Sequence, residues 1–166
     1  MNKPTLLCIL ISVFSLPAFC QSFTTSDLPI VMINTNGNQI PDEPKINAQM
    51  GIIYNGEGNA NHINDPYNYY NGTIAIEIRG NSSQDFEKKS YSFETRNSSN
   101  QDSSVNFFEM GGDEDWILHA MYIDKSLVRI PLSFYLSQRM GHYASEWKYV
   151  ELFLNNEYRG LYILCE

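Results

Sequence analysis

The sequence predicts an α+β fold, mainly an antiparallel β-sheet with one principal helix. Three observations carry this. Tyr 11 and Phe 9 raise aromatics to 13%, and aromatic side chains favour strands. Turn pairs such as Asn36-Gly37, Asn55-Gly56 and Asn155-Asn156 punctuate the chain. Several runs alternate with period two, whereas one stretch has helical spacing. The 166 residues, 43% hydrophobic, suffice for a single packed core. Lys+Arg number 11 against 19 Asp+Glu, a formal charge of -8. No Lys/Arg-rich run is present to neutralise phosphates, which excludes nucleic acid as a partner.

Residues 1–20 read as a secretory signal peptide: Lys3, the apolar run Leu6–Phe14, then a small-residue exit ending at Cys20. A lipid anchor on Cys20 is the rival reading, disfavoured by bulky Phe19 where a small residue is wanted. No second apolar stretch approaches ~20 residues, so no transmembrane segment is expected. Loss of the leader removes Cys8 and Cys20, leaving Cys165 in an apolar run as a buried small hydrophobe. His62, His119 and His142 lie far apart, and no metal site is expected from them.

The elements follow in order. Pro29–Asn34 is a short strand ended by a turn, and Pro41-Asp42-Glu43-Pro44 is a connector. Met50–Tyr54 is a second strand, and the Asn- and Gly-rich residues 55–72 form a long polar loop. In Thr73–Arg79, Ile74, Ile76 and Ile78 face one way while Ala75, Glu77 and Arg79 face the other. Lys89–Thr95 alternates too, with Tyr91 and Phe93 on one face, so the two runs make a hairpin about the Gly80–Lys88 loop. Residues 96–106 are polar and expected to be mobile. Trp116–His119 is a buried-type strand.

The helix is expected from about Lys125 to Met140, capped by Asp124 or Ser126 and stopped by Gly141. Val128, Leu132, Tyr135, Leu136 and Met140 share one face. Pro131 inside a helix would cost ~3 kcal/mol. It predicts either a kink or a regular helix starting near Ile130 after a separate turn. Lys148–Leu154, Asn155-Asn156 and Glu157–Leu164 form the last hairpin.

Several runs, taken in order, resemble the CotH kinase family, secreted or spore-coat proteins with an atypical protein-kinase fold. They are Ile76-Glu77-Ile78-Arg79-Gly80-Asn81-Ser82-Ser83-Gln84, Lys88-Lys89-Ser90-Tyr91-Ser92-Phe93-Glu94-Thr95 and Asp115-Trp116-Ile117-Leu118-His119-Ala120. The later ones are Asp124-Lys125-Ser126-Leu127-Val128-Arg129, Met140-Gly141-His142-Tyr143-Ala144 and Val150–Gly160. Glu87, Ile130, Pro131 and Asn156 depart from the family's usual residues.

The resemblance implies a division into the leader 1–20, an N-terminal β extension 21–72 with its polar loop, and a kinase-like small lobe 73–166. The large lobe, with the catalytic Asp and the metal-binding Asp, is expected to be missing, so the catalytic residue stays unknown. The implied activity is ATP-dependent phosphorylation of Ser or Thr on an exported protein, with Mg²⁺ or Mn²⁺. The fragment is expected to be inactive alone.

Phosphoryl transfer needs a small polar loop over the phosphates and cations beside it. Gly80, Asn81, Ser82 and Ser83 supply such a loop, flanked by Arg79, Lys88 and Lys89. With Glu151, and Glu166 at the strand leading to the expected hinge, these are the candidate nucleotide-binding residues. Spacing alone favours an ordinary hairpin with solvated lysines, and Glu151 could simply pair with Arg159 across the last hairpin. Asp85-Phe86-Glu87 is not a metal-binding triplet, since Glu replaces the permissive Gly. Asp113-Glu114-Asp115 reads first as a solvated turn. A noncatalytic secreted module for adhesion or surface assembly is the rival function, with Tyr67, Tyr69 and Tyr70 free to stack on a glycan.

Overall fold

The computed structural model describes residues 23–166. The leader 1–20, with Cys8 and Cys20, lies outside the described residues. Seven strands close into a barrel, in the order β10-β11-β9-β6-β5-β3-β2. In chain order these are β2 (Ile30–Asn34), β3 (Ile46–Ile53), β5 (Tyr70–Arg79), β6 (Ser90–Arg96), β9 (Asp115–His119), β10 (Trp147–Leu154) and β11 (Glu157–Cys165). All pairings are antiparallel except β10 with β2, which run parallel and close the ring. Four two-residue strands lie outside it: β1 (Thr25–Ser26) pairs β4 (Asn61–His62), and β7 (Val105–Asn106) pairs β8 (Gly112–Asp113). The described residues are thus β-rich with one α-helix, as expected. No described helix is long and apolar enough to cross a membrane.

Alternation decides what fills the barrel. Ile74, Ile76, Phe93, Leu118, Val150, Leu152, Tyr162 and Leu164 point inward and are fully or almost fully buried. Each such side chain contributes about 1.5–3 kcal/mol of transfer free energy. Trp116 packs edge-on against Phe107, with ring centroids 4.8 Å apart. Phe107 comes from the connection after β6, and it also meets Tyr70 at 5.1 Å. The polar stretch 96–106 is therefore tied down. Ser103 N–H donates to Thr95 O (2.9 Å) and the Thr95 hydroxyl donates to Ser103 O (2.5 Å). Residues 55–72 are also less irregular than expected, since β4 and the start of β5 fall within them.

The helix, α1, spans Arg129–Arg139, close to the start near Ile130 that Pro131 allows. Pro131 is the third helical residue, where its missing N–H would have no intrahelical acceptor. Val128, not Asp124 or Ser126, stands at the N-cap, without a side-chain cap bond. Asp124 acts from further back: its Oδ2 accepts Arg129 N–H (2.8 Å) and its Oδ1 accepts Ser126 N–H (3.1 Å). Gly141, at φ 81°, ends the helix as expected.

The apolar stripe of α1 faces outward, not onto the barrel. Leu132 is 51% exposed, Tyr135 54% and Met140 71%. The helix instead rests on Ile130, buried Pro131 and half-buried Phe134, while Leu127 and Ile130 pack around Met121, Ile163 and Cys165. Cys165 is free and buried, as read from the sequence, and burial pushes its thiol up to about 11.

Candidate functional site

The β5–β6 connection crosses one mouth of the barrel. Gly80 leaves β5 at φ 117°, a conformation that side chains avoid. A Cβ there would also lie 2.0 Å from Ser83 Oγ. The chain then winds through a 3₁₀ turn, Ser82–Asp85, in which Gln84 N–H donates to Asn81 O (3.1 Å). The Gln84 amide donates to Gly80 O and to Asp42 Oδ1, both at 2.5 Å. The Lys89 ammonium donates to Gln84 O. Phe86 stacks on Tyr122 with centroids 5.0 Å apart. The loop is thus a shaped element anchored to its surroundings at both ends.

Three adjoining clefts lie around this mouth. The first, about 360 Å³, separates α1 from the outer faces of β9 and β11; Arg79, His119, Phe134, Cys165 and Glu166 line it. The second, about 260 Å³, runs under the loop between Ser83, Phe86, Lys88, His119, Asp124 and Arg129. The third, about 250 Å³, lies among Lys88, Lys89, Tyr122, Tyr158, Arg159 and Tyr162. His119 belongs to the first two clefts, and Lys88 to the second and third.

Of the predicted residues, Arg79, Ser83, Lys88, Lys89 and Glu166 are brought to this system, while Gly80, Asn81 and Ser82 shape the loop without lining a cleft. Lys88 is half-buried. Its ammonium donates to Leu161 O (2.5 Å) and stands 4.4 Å from the Tyr162 ring centroid. Burial lowers its pKa, while the Glu151 charge opposes that shift. The Tyr162 hydroxyl donates to Lys89 O (2.9 Å), and burial raises its pKa. Glu166 accepts a hydrogen bond from Tyr143 at 3.2 Å.

Glu151 sits apart. It is buried on the outer face of β10 and accepts from Ser26 Oγ (3.1 Å) and the Tyr158 hydroxyl (2.7 Å). The pairing with Arg159 is not formed. The register sets Leu161 opposite Glu151, with a bulge at Leu152/Phe153, and Arg159 pairs with Glu157 at 2.7 Å. The carboxylates of Asp113, Glu114 and Asp115 lie within 4.8 Å of one another. They could hold a cation, but Asp115 is at the opposite end of β9 from His119, remote from the loop. Asp113 Oδ1 accepts Asp115 N–H (3.1 Å), the hydrogen bond of a turn.

His119 is the residue that sequence reasoning missed, having weighed it only as a metal ligand. It closes β9 on the outward face shared by Ile117, so alternation alone could have directed it toward the cleft. Burial, then the charges of Arg79 and Lys88, hold it below its ordinary value of 6.5. A neutral imidazole between two fixed cations makes a site that gains free energy when an anion enters. Residues 76–166, which span all three clefts, match the family model described as CotH kinase protein. No curated protein matches the chain.

Proposed function

The chain belongs to the CotH kinase protein family, and from that premise we propose that its barrel and helix cover the nucleotide of a secreted protein kinase. The reaction is transfer of the γ-phosphoryl of ATP to Ser or Thr hydroxyls of an exported protein, reached through the leader at 1–20. The observation that carries this is the convergence of Arg79, Lys88 and His119 on two adjoining clefts, one beneath the 80–89 loop and one between α1 and the barrel, with His119 lining both. Three nitrogen-bearing side chains around a shaped mouth suit a polyphosphate, whose charge they would stabilise.

The order of elements supports the reading. Strand, loop, strand, strand, helix, strand, strand is the order β5, loop, β6, β9, α1, β10, β11. Protein kinases pair a third-strand Lys with a helix Glu. Here β9 reads DWILH and α1 reads RIPLSFYLSQR, so neither residue is present. Lys88, brought in by the loop and close enough to Glu151 to feel its charge, takes the cation's role. Arg79 binds from the first cleft.

ATP would be held by Arg79, Lys88 and the loop. Mg²⁺ or Mn²⁺ would neutralise charge on the transferring group. The described cleft residues do not make a metal cage: Asp124 is engaged by Ser126 and Arg129 N–H, and Glu87 and Glu166 lie in separate clefts. In this reading a second lobe would supply the metal ligands and the base. The exposed stripe Leu132, Tyr135, Leu136 and Met140 offers an apolar surface for it.

The test is binding of ATP·Mg to the full chain by calorimetry, with Lys88→Met and Arg79→Met as variants. Each removes a charge-assisted contact, about 1.5–3 kcal/mol, and weakens binding by roughly ten- to a hundredfold. Equal affinity in all three folded proteins would refute the assignment.

A further inference from the structure

A fourth concavity lies on the outer face of β5, β3, β2 and β10 and shares no lining residue with the nucleotide clefts. Its volume is about 140 Å³. A cavity of about 150 Å³ admits a benzene ring, so this open concavity can seat part of a hydroxylated six-membered ring without enclosing it. The register builds its floor. Asn71 stands opposite Gly51, Gly51 opposite Met32, and Met32 opposite Phe153. One row further, Thr73 stands opposite Gln49 and Gln49 opposite Asn34. These residues point outward because their neighbours Ile33, Met50, Ile52 and Ile74 fill the barrel.

Gly51 has a specific task. A Cβ at that position would lie 2.4 Å from Tyr67 Cγ and 2.5 Å from each Tyr67 Cδ. No point in the ring plane meets all three distances, so the ring lies face-down on the glycine. Tyr67 is 45% exposed, which leaves its opposite face open. Beside this platform the amides are oriented. Asn34 Oδ1 accepts Asn36 N–H (2.8 Å), leaving its NH₂ to donate outward. The Gln49 NH₂ donates to Thr73 Oγ1 (3.0 Å), leaving its carbonyl oxygen to accept. Asn71 and Asn156 add two further amides. Among the described residues no Lys, Arg, His, Asp or Glu lines the concavity, so an ionic ligand has no partner here.

An open aromatic face beside fixed amide donors and acceptors suits a ring that is apolar on one face and hydroxylated at its edge. We propose that this concavity binds a neutral hexose unit of a glycan, the sugar's C–H face on Tyr67 and its hydroxyls on Asn34, Gln49 and Asn71. The chain would then carry a saccharide site on the side of the barrel away from the nucleotide. Such a site positions the protein on a glycan-bearing surface and does not depend on the kinase reading.

The full chain is titrated with the methyl glycosides of glucose, galactose, mannose and N-acetylglucosamine, and with their β-linked trimers. Binding is read by saturation-transfer NMR and by shifts of the Tyr67 ring resonances. At least one sugar binds; Tyr67→Ala weakens it roughly tenfold or more, and Tyr67→Phe retains it. Asn34→Ala and Gln49→Ala weaken binding with the thermal unfolding transition retained, so the outcome does not hang on one variant. ATP binding stays unchanged throughout. The proposal is overturned if no sugar binds, if Tyr67→Ala and the amide variants bind as the parent does, or if a proline-rich peptide occupies the concavity and sugars do not.

Discussion

His119 gives the most direct test of the proposed nucleotide site, because its proton reports the charge placed beside it. Burial first, and then Arg79 and Lys88, hold its pKa below 6.5. A triphosphate settling between those cations reverses the sign of the local field. One net negative charge about 6 Å away, at an effective dielectric of about 20–40, contributes about 1.4–2.8 kcal/mol. At 1.36 kcal/mol per pKa unit, that raises His119 by about one to two units. The assay is the pH dependence of the imidazole resonances of the full chain, with and without saturating ATP·Mg, His119 being assigned by comparison with His119→Gln. The resonances of His62 and His142, which line none of the three clefts, do not move when nucleotide is added at fixed pH. The same depression has a consequence for folding. Below pH 6.5 the unfolded chain takes up a proton that the folded imidazole refuses, so stability falls as pH drops from 6.5 toward the folded value. His119→Gln removes that part of the slope in urea titrations. An unchanged His119 midpoint at saturating nucleotide would refute the placement of phosphate between Arg79 and Lys88.

Two further substitutions probe the frame around the site. Gly80→Ala forces a side chain to φ 117° and onto Ser83 Oγ, which costs about 1–3 kcal/mol in urea unfolding; pairing it with Ser83→Ala recovers part of that loss, and no recovery would show that the clash is not the cause. Asn155 joins the last hairpin to β2, its Oδ1 accepting Thr35 N–H and its Nδ2 donating to Thr35 Oγ1, both at 2.9 Å; Asn155→Gly keeps the turn's φ of 51° accessible but still loses about 1–3 kcal/mol, whereas parent-like stability would mean that backbone conformation alone matters there.

The hairpins were legible because period-two alternation is a local signal. Ile74, Ile76 and Ile78 against Glu77 and Arg79 settle both the strand and its face. Barrel closure was not, since the parallel pairing of β2 with β10 sets Ile30 beside Glu151, residues that nothing local connects. Phe107 hid for the opposite reason: it follows a polar run but is needed to fill the barrel end beside Trp116. The α1 stripe had the right period, and spacing predicts a shared face without saying what covers it. Within the site, Arg79, Ser83, Lys88 and Lys89 could be chosen by proximity to a small polar loop. His119 was passed over although alternation places it on the outward face of β9, because its chemistry is set by neighbours from β5 and the loop. Glu151 was given the wrong partner: counted back from Leu154 opposite Glu157, a regular ladder would already set it beside Gly160, and the bulge moves it on to Leu161.

Charge distribution argues most strongly that this mouth is specialised. The chain holds 11 Lys+Arg and 19 Asp+Glu, so an average surface patch repels a polyanion. Arg79, Lys88, Lys89, Arg129 and Arg159 line the three clefts, against Glu87, Asp124 and Glu166. Of the three acids, Asp124 is engaged in holding the start of α1. Concentrating cations in one recess of an acidic protein raises the local field where low-dielectric walls focus it. It also carries a folding cost, since Lys88 is half-buried and its pKa is lowered chiefly by desolvation. A solvated hairpin would have left that lysine in water. The Tyr162 ring and Leu161 O hold it instead at the point where two clefts meet, the position from which one ammonium can reach a ligand spanning both.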